Sequence, residues 1–79
     1  MRMPLAMLNE KEEATVVEVK GGKGLVRRLS ELGLTPGTKV KILFSNSPGP
    51  AVIDVRGSKI ALGRGLLMKI FVKPEAETY

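Results

Sequence analysis

The sequence predicts a mainly β protein, a small antiparallel β-barrel of five strands with one short inserted helix. Its 79 residues allow one domain with one small core. Short stretches in which apolar and polar residues alternate follow one another at close spacing, which is typical of strands that share a core. The connections between them are short and rich in glycine and proline. We therefore expect a single domain over residues 1–79.

The predicted strands combine β-branched residues with a period of two. They are residues 14–19, 39–44, 51–55, 59–62 and 69–73. Since side chains alternate across a strand, Val40, Ile42 and Phe44 are predicted to face the core together, as are Ile70 and Val72. Each strand then contributes one apolar face to the same interior.

The inserted helix is predicted at residues 25–32, where Leu25, Leu29 and Leu32 form one apolar stripe. Gly33 follows at the position where helices often end on a left-handed residue. The stripe should pack this helix against the barrel.

The turns have recognisable chemistry. Pro36 and Gly37 suit the central positions of a type II turn, and residues 46–50 form a cluster of turn residues. Arg56 and Gly57 predict a tight hairpin. Residues 63–68 predict one helical or 3₁₀ turn, and residues 74–79 a frayed tail.

The order of these elements is that of an SH3-like barrel with a helix inserted after its first strand. The alternative is an OB-fold, which is also five-stranded but normally has its helix between strands three and four. Only residues 56–58 separate those two strands, which is too short for a helix.

The composition excludes most catalytic chemistry, because the chain has no His and no Cys. The usual base near pH 7 and the thiolate nucleophile are therefore missing. The glycine-rich residues 21–24 lack the spacing and the Ser or Thr of a phosphate-binding loop, and residues 63–65 lack the third glycine of a dinucleotide fingerprint. Glu10, Glu12 and Glu13 could bind a hard cation, but a solvated turn is the default interpretation. We expect no enzyme activity, no catalytic residue, no cofactor and no metal site.

The charge distribution favours an anionic partner. The chain has 13 basic and 8 acidic side chains, and residues 20–73 hold 11 of the basic ones against Glu31 and Asp54 only. Nucleic acid, the inner leaflet of a membrane or an acidic protein face would suit such a body. Nucleic acid is the weaker alternative, since Phe44, Phe71 and Tyr79 are the only aromatic residues available for stacking on bases.

Some apolar side chains are left over once the predicted core is filled, and they lie beside basic ones. Such a surface suits a protein partner, although any one of these residues could instead complete the core. The predicted partner-binding residues are Val26, Arg27, Ser30, Leu43, Leu66, Leu67 and Phe71. Edge strands could also pair between chains and give a weak homo-oligomer.

No signal peptide or membrane-spanning stretch is predicted. Pro4 interrupts the short apolar start, and charged residues follow at residues 10–13. We therefore expect a soluble cytoplasmic protein without membrane insertion.

Three segments in order resemble the ferrous iron transport protein A (FeoA-like) family. They are RLSELGLTPG at residues 28–37, PGP at residues 48–50 and IALGRG at residues 60–65, within a match over about residues 4–73. The resemblance implies an SH3-like cytoplasmic protein without catalysis or a small-molecule substrate. It implies contact with a large membrane-embedded, GTP-hydrolysing ferrous iron transporter, at whose inner membrane face the protein would be recruited.

Two positions depart from the usual pattern of that family. Lys11 stands where glycine is common before the first strand, and Leu67 stands where alanine is usual. The resemblance also implies a transition-metal label, but a chain without His or Cys lacks the ligands that such metals prefer.

Overall fold

The computed structural model describes residues 1–46 and 48–75. The elements are β1 (Met3–Pro4), a 3₁₀ turn (Leu5–Met7), β2 (Glu13–Val19), α1 (Lys23–Glu31), β3 (Lys39–Ser45), β4 (Ala51–Val55), β5 (Ser58–Leu62), α2 (Arg64–Leu67) and β6 (Ile70–Pro74). Among these described residues, no helix is long and apolar enough to cross a membrane.

The strands form one antiparallel sheet in the order β1-β6-β2-β3-β4-β5. The mainly β class and the order of strands and helix are therefore confirmed. Two details of the prediction are wrong: the described sheet has six strands instead of five, and it is open, with β1 and β5 at its ends. The additional strand consists of Met3 and Pro4, paired with Val72 and Phe71. A strand of two residues is too short to show an alternating pattern in the sequence.

The core lies on one face of this sheet, and its large side chains are all aliphatic. The alternation predicted for β4 and β6 is confirmed, because their inward residues are all buried. The largest of the fully buried apolar side chains are Leu5, Leu29, Leu34, Ile42, Ile53, Ile70, Val16, Val40 and Val72. Thr38 is the one buried polar residue among those that the structure describes, and its hydroxyl hydrogen-bonds to that of Thr35.

Phe44 is an exception to the predicted pattern, because it is 56% exposed and does not belong to the core. The pairing of β3 with β4 shifts between Ile42 and Phe44, so that Ile42 opposes Ile53 while Phe44 opposes Val52. A β-bulge of this kind adds one residue to a strand and reverses the faces beyond it. Phe44 therefore points to the outer face of the sheet.

Helix α1 begins at Lys23, two residues before the predicted start, with Gly22 as its N-cap. It ends as predicted: Gly33 has a φ of 93° and the Leu34 N–H donates to the Leu29 carbonyl at 2.9 Å. The Gly33 N–H also donates to the Ser30 carbonyl. These are the two hydrogen bonds of a Schellman motif.

The predicted turns are also present. Gly37 has a φ of 95° and the Thr38 N–H donates to the Thr35 carbonyl, as a type II turn requires. Arg56 and Gly57 have φ values of 55° and 89°, those of a two-residue type I′ hairpin.

The predicted tail at residues 74–79 is described only in part. Strand β6 includes Pro74, and the Glu75 N–H donates to the Glu13 carbonyl at 2.9 Å. Residues 76–79, which include Tyr79, and Ser47 within the predicted turn cluster lie outside the described residues.

Candidate partner-binding site

A groove of about 360 Å³ runs between helix α1 and strand β5, and we refer to it as the α1–β5 groove. Most of its lining is aliphatic. The lining residues are Leu25, Arg28, Leu29, Glu31, Leu32, Ile60, Ala61, Leu62 and Leu66.

The helix side of the groove is the apolar stripe of α1. Leu29 is 1% exposed and packs into the core, whereas Leu25 is half-buried and Leu32 is 44% exposed. Leu29 thus anchors the helix in the core, while Leu25 and Leu32 on either side of it remain partly exposed. The stripe was predicted from sequence, but its incomplete coverage was not.

The strand side of the groove is the edge of β5. Ile60, Ala61 and Leu62 all line it, although successive residues of a strand face opposite sides of the sheet. The groove therefore follows the edge of the strand rather than one of its faces. Leu66 from the short helix α2 closes one side.

The charge around the groove is mainly positive. Arg28 and Glu31 line it directly. The exposed Lys59 precedes the lining residue Ile60 along β5, and the exposed Arg64 lies two residues before the lining residue Leu66 in the chain. The Glu31 carboxylate lies 3.8 Å from the Arg27 guanidinium, which offsets the one acidic group at this site. A partner with acidic side chains would be complementary here.

The structure separates the predicted partner-binding residues into different places. Val26, Arg27 and Ser30 are exposed, as predicted, but they lie on the sides of α1 away from the groove. Leu66 lines the groove and is half-buried. Leu43 is half-buried at the bulge of β3.

Leu67 requires a correction, because it is 3% exposed and packs in the core. The helical turn of α2 directs Leu67 inward and leaves its neighbour Leu66 at the groove. Leu67 is therefore not available at the surface of the free protein.

Phe71 lies on the outer face of the sheet, remote in the strand order from β5. The Arg2 guanidinium carbon and the Lys20 ammonium nitrogen are 5.7 and 5.0 Å from the centre of its ring. Arg2 also forms an ion pair with Glu18. Two cations of the same chain thus already cover this half-buried ring, which makes it a poorer anchor for a partner.

Sequence reasoning missed most of the groove, including Leu25, Leu32, Ile60 and Ala61. A helical stripe normally indicates packing against a core, and no local pattern shows where that core ends. The available signal was indirect: a domain of this size buries a smaller fraction of its surface than a large one, so part of an apolar stripe can stay exposed.

A second concavity, of about 420 Å³, lies over β2, β3 and β4. Its charged residues oppose one another across the strands, since Lys41 pairs with Glu13 on one side and with Asp54 on the other. Asp54 also accepts a hydrogen bond from the Gly57 N–H at 2.8 Å. The charges of this concavity are thus largely matched within the chain.

The glutamates near the start of the chain have structural roles. A carboxylate oxygen of Glu12 accepts the Asn9 N–H at 2.7 Å, and one of Glu10 accepts the Ser45 N–H at 2.8 Å. Across residues 1–46 and 48–75, no three acidic residues come together in a way that could hold a metal ion.

Comparison with known proteins decides the family. The model of the FeoA domain matches residues 3–74. The chain belongs to the FeoA family. A relative from Methanocaldococcus jannaschii, provisionally named Fe(2+) transport protein A, is 44% identical over 70 residues, which are 89% of this chain and 84% of the relative.

Solved FeoA structures share the fold. The crystal structure of an iron uptake regulatory protein (FeoA) superposes with a TM-score of 0.88 at 34% identity, covering 94% of this chain and 99% of that one. Stenotrophomonas maltophilia FeoA, solved with zinc and described as an SH3-domain protein and candidate activating factor of ferrous iron transport, gives a TM-score of 0.79 at 25% identity. The two chains cover 90% and 89% of each other.

Both departures from the FeoA pattern have a structural explanation. Lys11 has a φ of 73°, a left-handed conformation that glycine adopts readily and other residues rarely. Leu67 replaces a small residue with a larger one inside the core, where it is fully packed. Neither residue lines the α1–β5 groove.

Proposed function

We propose that this FeoA-family chain is a non-enzymatic accessory protein of ferrous iron uptake. It acts in the cytoplasm by binding a large membrane-embedded, GTP-hydrolysing ferrous iron transporter. The α1–β5 groove is the centre of the contact, and the exposed residues Val26, Arg27 and Ser30 on the other sides of α1 contribute at its periphery. The observation that carries the proposal is the partly exposed leucine pair, Leu25 and Leu32, beside Arg28 in a chain of this family.

The groove has the anatomy of a protein-binding site. Its apolar centre is formed by leucines, and Arg28 lies at its rim. Apolar anchors surrounded by polar and arginine side chains are typical of the energetically important part of an interface. Leucines that are half exposed in the free protein lose this exposed area when a partner covers them, which stabilises the complex.

The lining offers little for catalysis. Its only ionisable groups are Arg28 and Glu31, and the chain has no His or Cys to act as a base or nucleophile. Binding without chemical conversion is therefore the activity that the groove supports, with no cofactor and no small-molecule substrate. The relative from Methanocaldococcus jannaschii and the Stenotrophomonas FeoA support the link with ferrous iron transport through the roles that their names carry.

Two aspartate substitutions on α1 test this function. Leu32→Asp places a charge in the groove, and Val26→Asp places the same charge on another side of the helix at a similar exposure, 44% against 37%. Binding of the purified transporter from the same genome, in detergent, is measured by surface plasmon resonance. We expect Leu32→Asp to weaken binding by about tenfold or more and Val26→Asp by roughly threefold, because central, desolvated positions dominate interfaces.

Urea titrations control for folding, and both variants should keep a stability within about 1 kcal/mol of the parent because both sites are exposed. In cells that lack the natural gene, the parent chain should restore ferrous iron uptake and Leu32→Asp should not. Absence of binding between the parent chain and the transporter would contradict the proposed function.

A further inference from the structure

Strand β5 has an open edge. It is the last strand in the sheet order, it is five residues long, and it contains no proline. In the described part of the chain, no strand pairs with its outer side. Exposed edges of this kind are templates for an additional strand.

The register of the β4–β5 hairpin shows which peptide groups are free. The two-residue turn makes Val55 and Ser58 a hydrogen-bonded pair, and such pairs alternate with non-bonded pairs along an antiparallel ladder. Lys59 and Ala61, opposite Asp54 and Val52, therefore direct their N–H and carbonyl groups away from β4. Within residues 1–46 and 48–75, neither has a backbone partner outside the sheet.

The free peptide groups and the apolar lining lie side by side. Ala61 belongs both to the open edge and to the α1–β5 groove, and Ile60 and Leu62 are its neighbours in the lining. A strand added beside β5 would direct alternate side chains toward Leu32 and Leu66. Its remaining side chains would be on the outer face with Lys59.

We propose that the α1–β5 groove binds its partner by strand addition: an extended segment of the transporter, with apolar side chains alternating with acidic ones, pairs with the edge of β5. This inference rests on the proposed function and specifies its binding mode. Main-chain hydrogen bonds supply affinity in this mode, and the pockets for alternate side chains supply specificity.

The charges select an acidic segment over a second copy of this chain. Arg28 lines the groove, Lys59 lies on β5 opposite Asp54, and Glu31 is offset by Arg27. The chain has a net charge of +5, so two copies repel each other when they approach. A lysine on an edge strand also discourages pairing with a like strand.

The test uses a short acetylated and amidated peptide of alternating valine and glutamate, with a valine–lysine peptide as the charge control. Titration calorimetry should show binding of the glutamate peptide and none of the lysine peptide. Ala61→Pro removes the N–H at the edge, where proline is tolerated, and Ala61→Thr retains it. We expect Ala61→Pro to weaken binding about tenfold, the effect of one or two lost hydrogen bonds, and Ala61→Thr to bind like the parent chain.

Amide hydrogen exchange tests the same mode without any substitution. The amides of Lys59 and Ala61 should exchange rapidly in the free chain and become about tenfold or more protected with the glutamate peptide. Those of Ile60 and Leu62, which bond to β4, should be protected in both states. Unchanged exchange at Lys59 and Ala61 in the presence of saturating peptide would overturn strand addition.

Binding measurements with the transporter distinguish a failure of strand addition from a failure of the proposed function. If Ala61→Pro binds the transporter as tightly as Ala61→Thr does, strand addition is wrong and the proposed function stands. If neither the parent chain nor Ala61→Thr binds it, the proposed function is wrong. Sedimentation showing that Ala61→Pro turns a dimer of the parent chain into a monomer would assign the edge to a second copy and overturn the acidic partner.

Discussion

The two edges of the sheet differ in nearly every respect that matters for pairing. Strand β1 has two residues, one of them Pro4, whereas β5 has five residues and no proline. Short strands and prolines are the means by which natural proteins prevent pairing at an edge. The comparison shows that this chain closes one edge of its sheet and keeps the other available.

The side chains beside the two edges also favour partner binding at β5 over β1. Near β1, the ring of Phe71 is covered by Arg2 and Lys20. Near β5, Leu32 is 44% exposed at the α1–β5 groove. A covered aromatic residue and an uncovered leucine have opposite consequences for a partner, because only the second offers apolar area to bury.

The largest expected effect comes from shortening a buried side chain of α2, the helix that follows the open edge strand β5. Leu67→Ala deletes a fully buried side chain of the helix that follows β5, so we expect a loss of about 3 kcal/mol in the free energy of unfolding. For a domain of this size, that corresponds to a decrease in Tm of roughly 10–20 °C. Urea and thermal unfolding measure the change.

The adjacent Leu66→Ala variant is the matched control, since Leu66 is half-buried at the groove. It should lose only about 1 kcal/mol, in proportion to its smaller buried area. Equal losses in the two variants would contradict the assignment of Leu67 to the core and of Leu66 to the groove.

An intermediate effect is expected from the charge at the open edge. Arg28→Glu reverses a charge that lines the groove, so binding of an acidic partner should weaken by roughly tenfold, mainly through slower association. Lys39→Glu, which makes the same change in net charge outside the groove lining, should weaken binding by less than about threefold at physiological salt, where distant charges are screened. Stopped-flow kinetics with the glutamate peptide measure both rates. The charge explanation would be wrong if the two variants slowed association equally.

The smallest effect is expected at the closed edge. Pro4→Ala gives residue 4 a backbone N–H and increases the conformational freedom of the unfolded chain. The second effect should lower the free energy of unfolding by about 0.5 kcal/mol. It should not restore peptide binding when combined with Ala61→Pro, because a strand of two residues offers too few hydrogen bonds. Calorimetry with the glutamate peptide checks this. Tighter binding by the double variant than by Ala61→Pro alone would show that proline alone closes the edge of β1.

The amino-acid sequence by itself determined the local parts of the structure. Gly33, Pro36 with Gly37, and Arg56 with Gly57 end a helix or reverse a strand through their own backbone preferences, and all appear where the sequence predicts them. The alternating strands β4 and β6 also follow their pattern, because one register places every apolar residue on the same side.

Only the tertiary structure decided which surfaces stay uncovered. The bulge that exposes Phe44 arises from the pairing of β3 with β4, and the burial of Leu67 from the direction in which α2 leaves β5. The edge of β5 is open because, in the described part of the chain, β5 ends the sheet and pairs only with β4. Strand partners and helix placement bring together residues that are distant along the chain, and such contacts leave no periodic signal in the sequence.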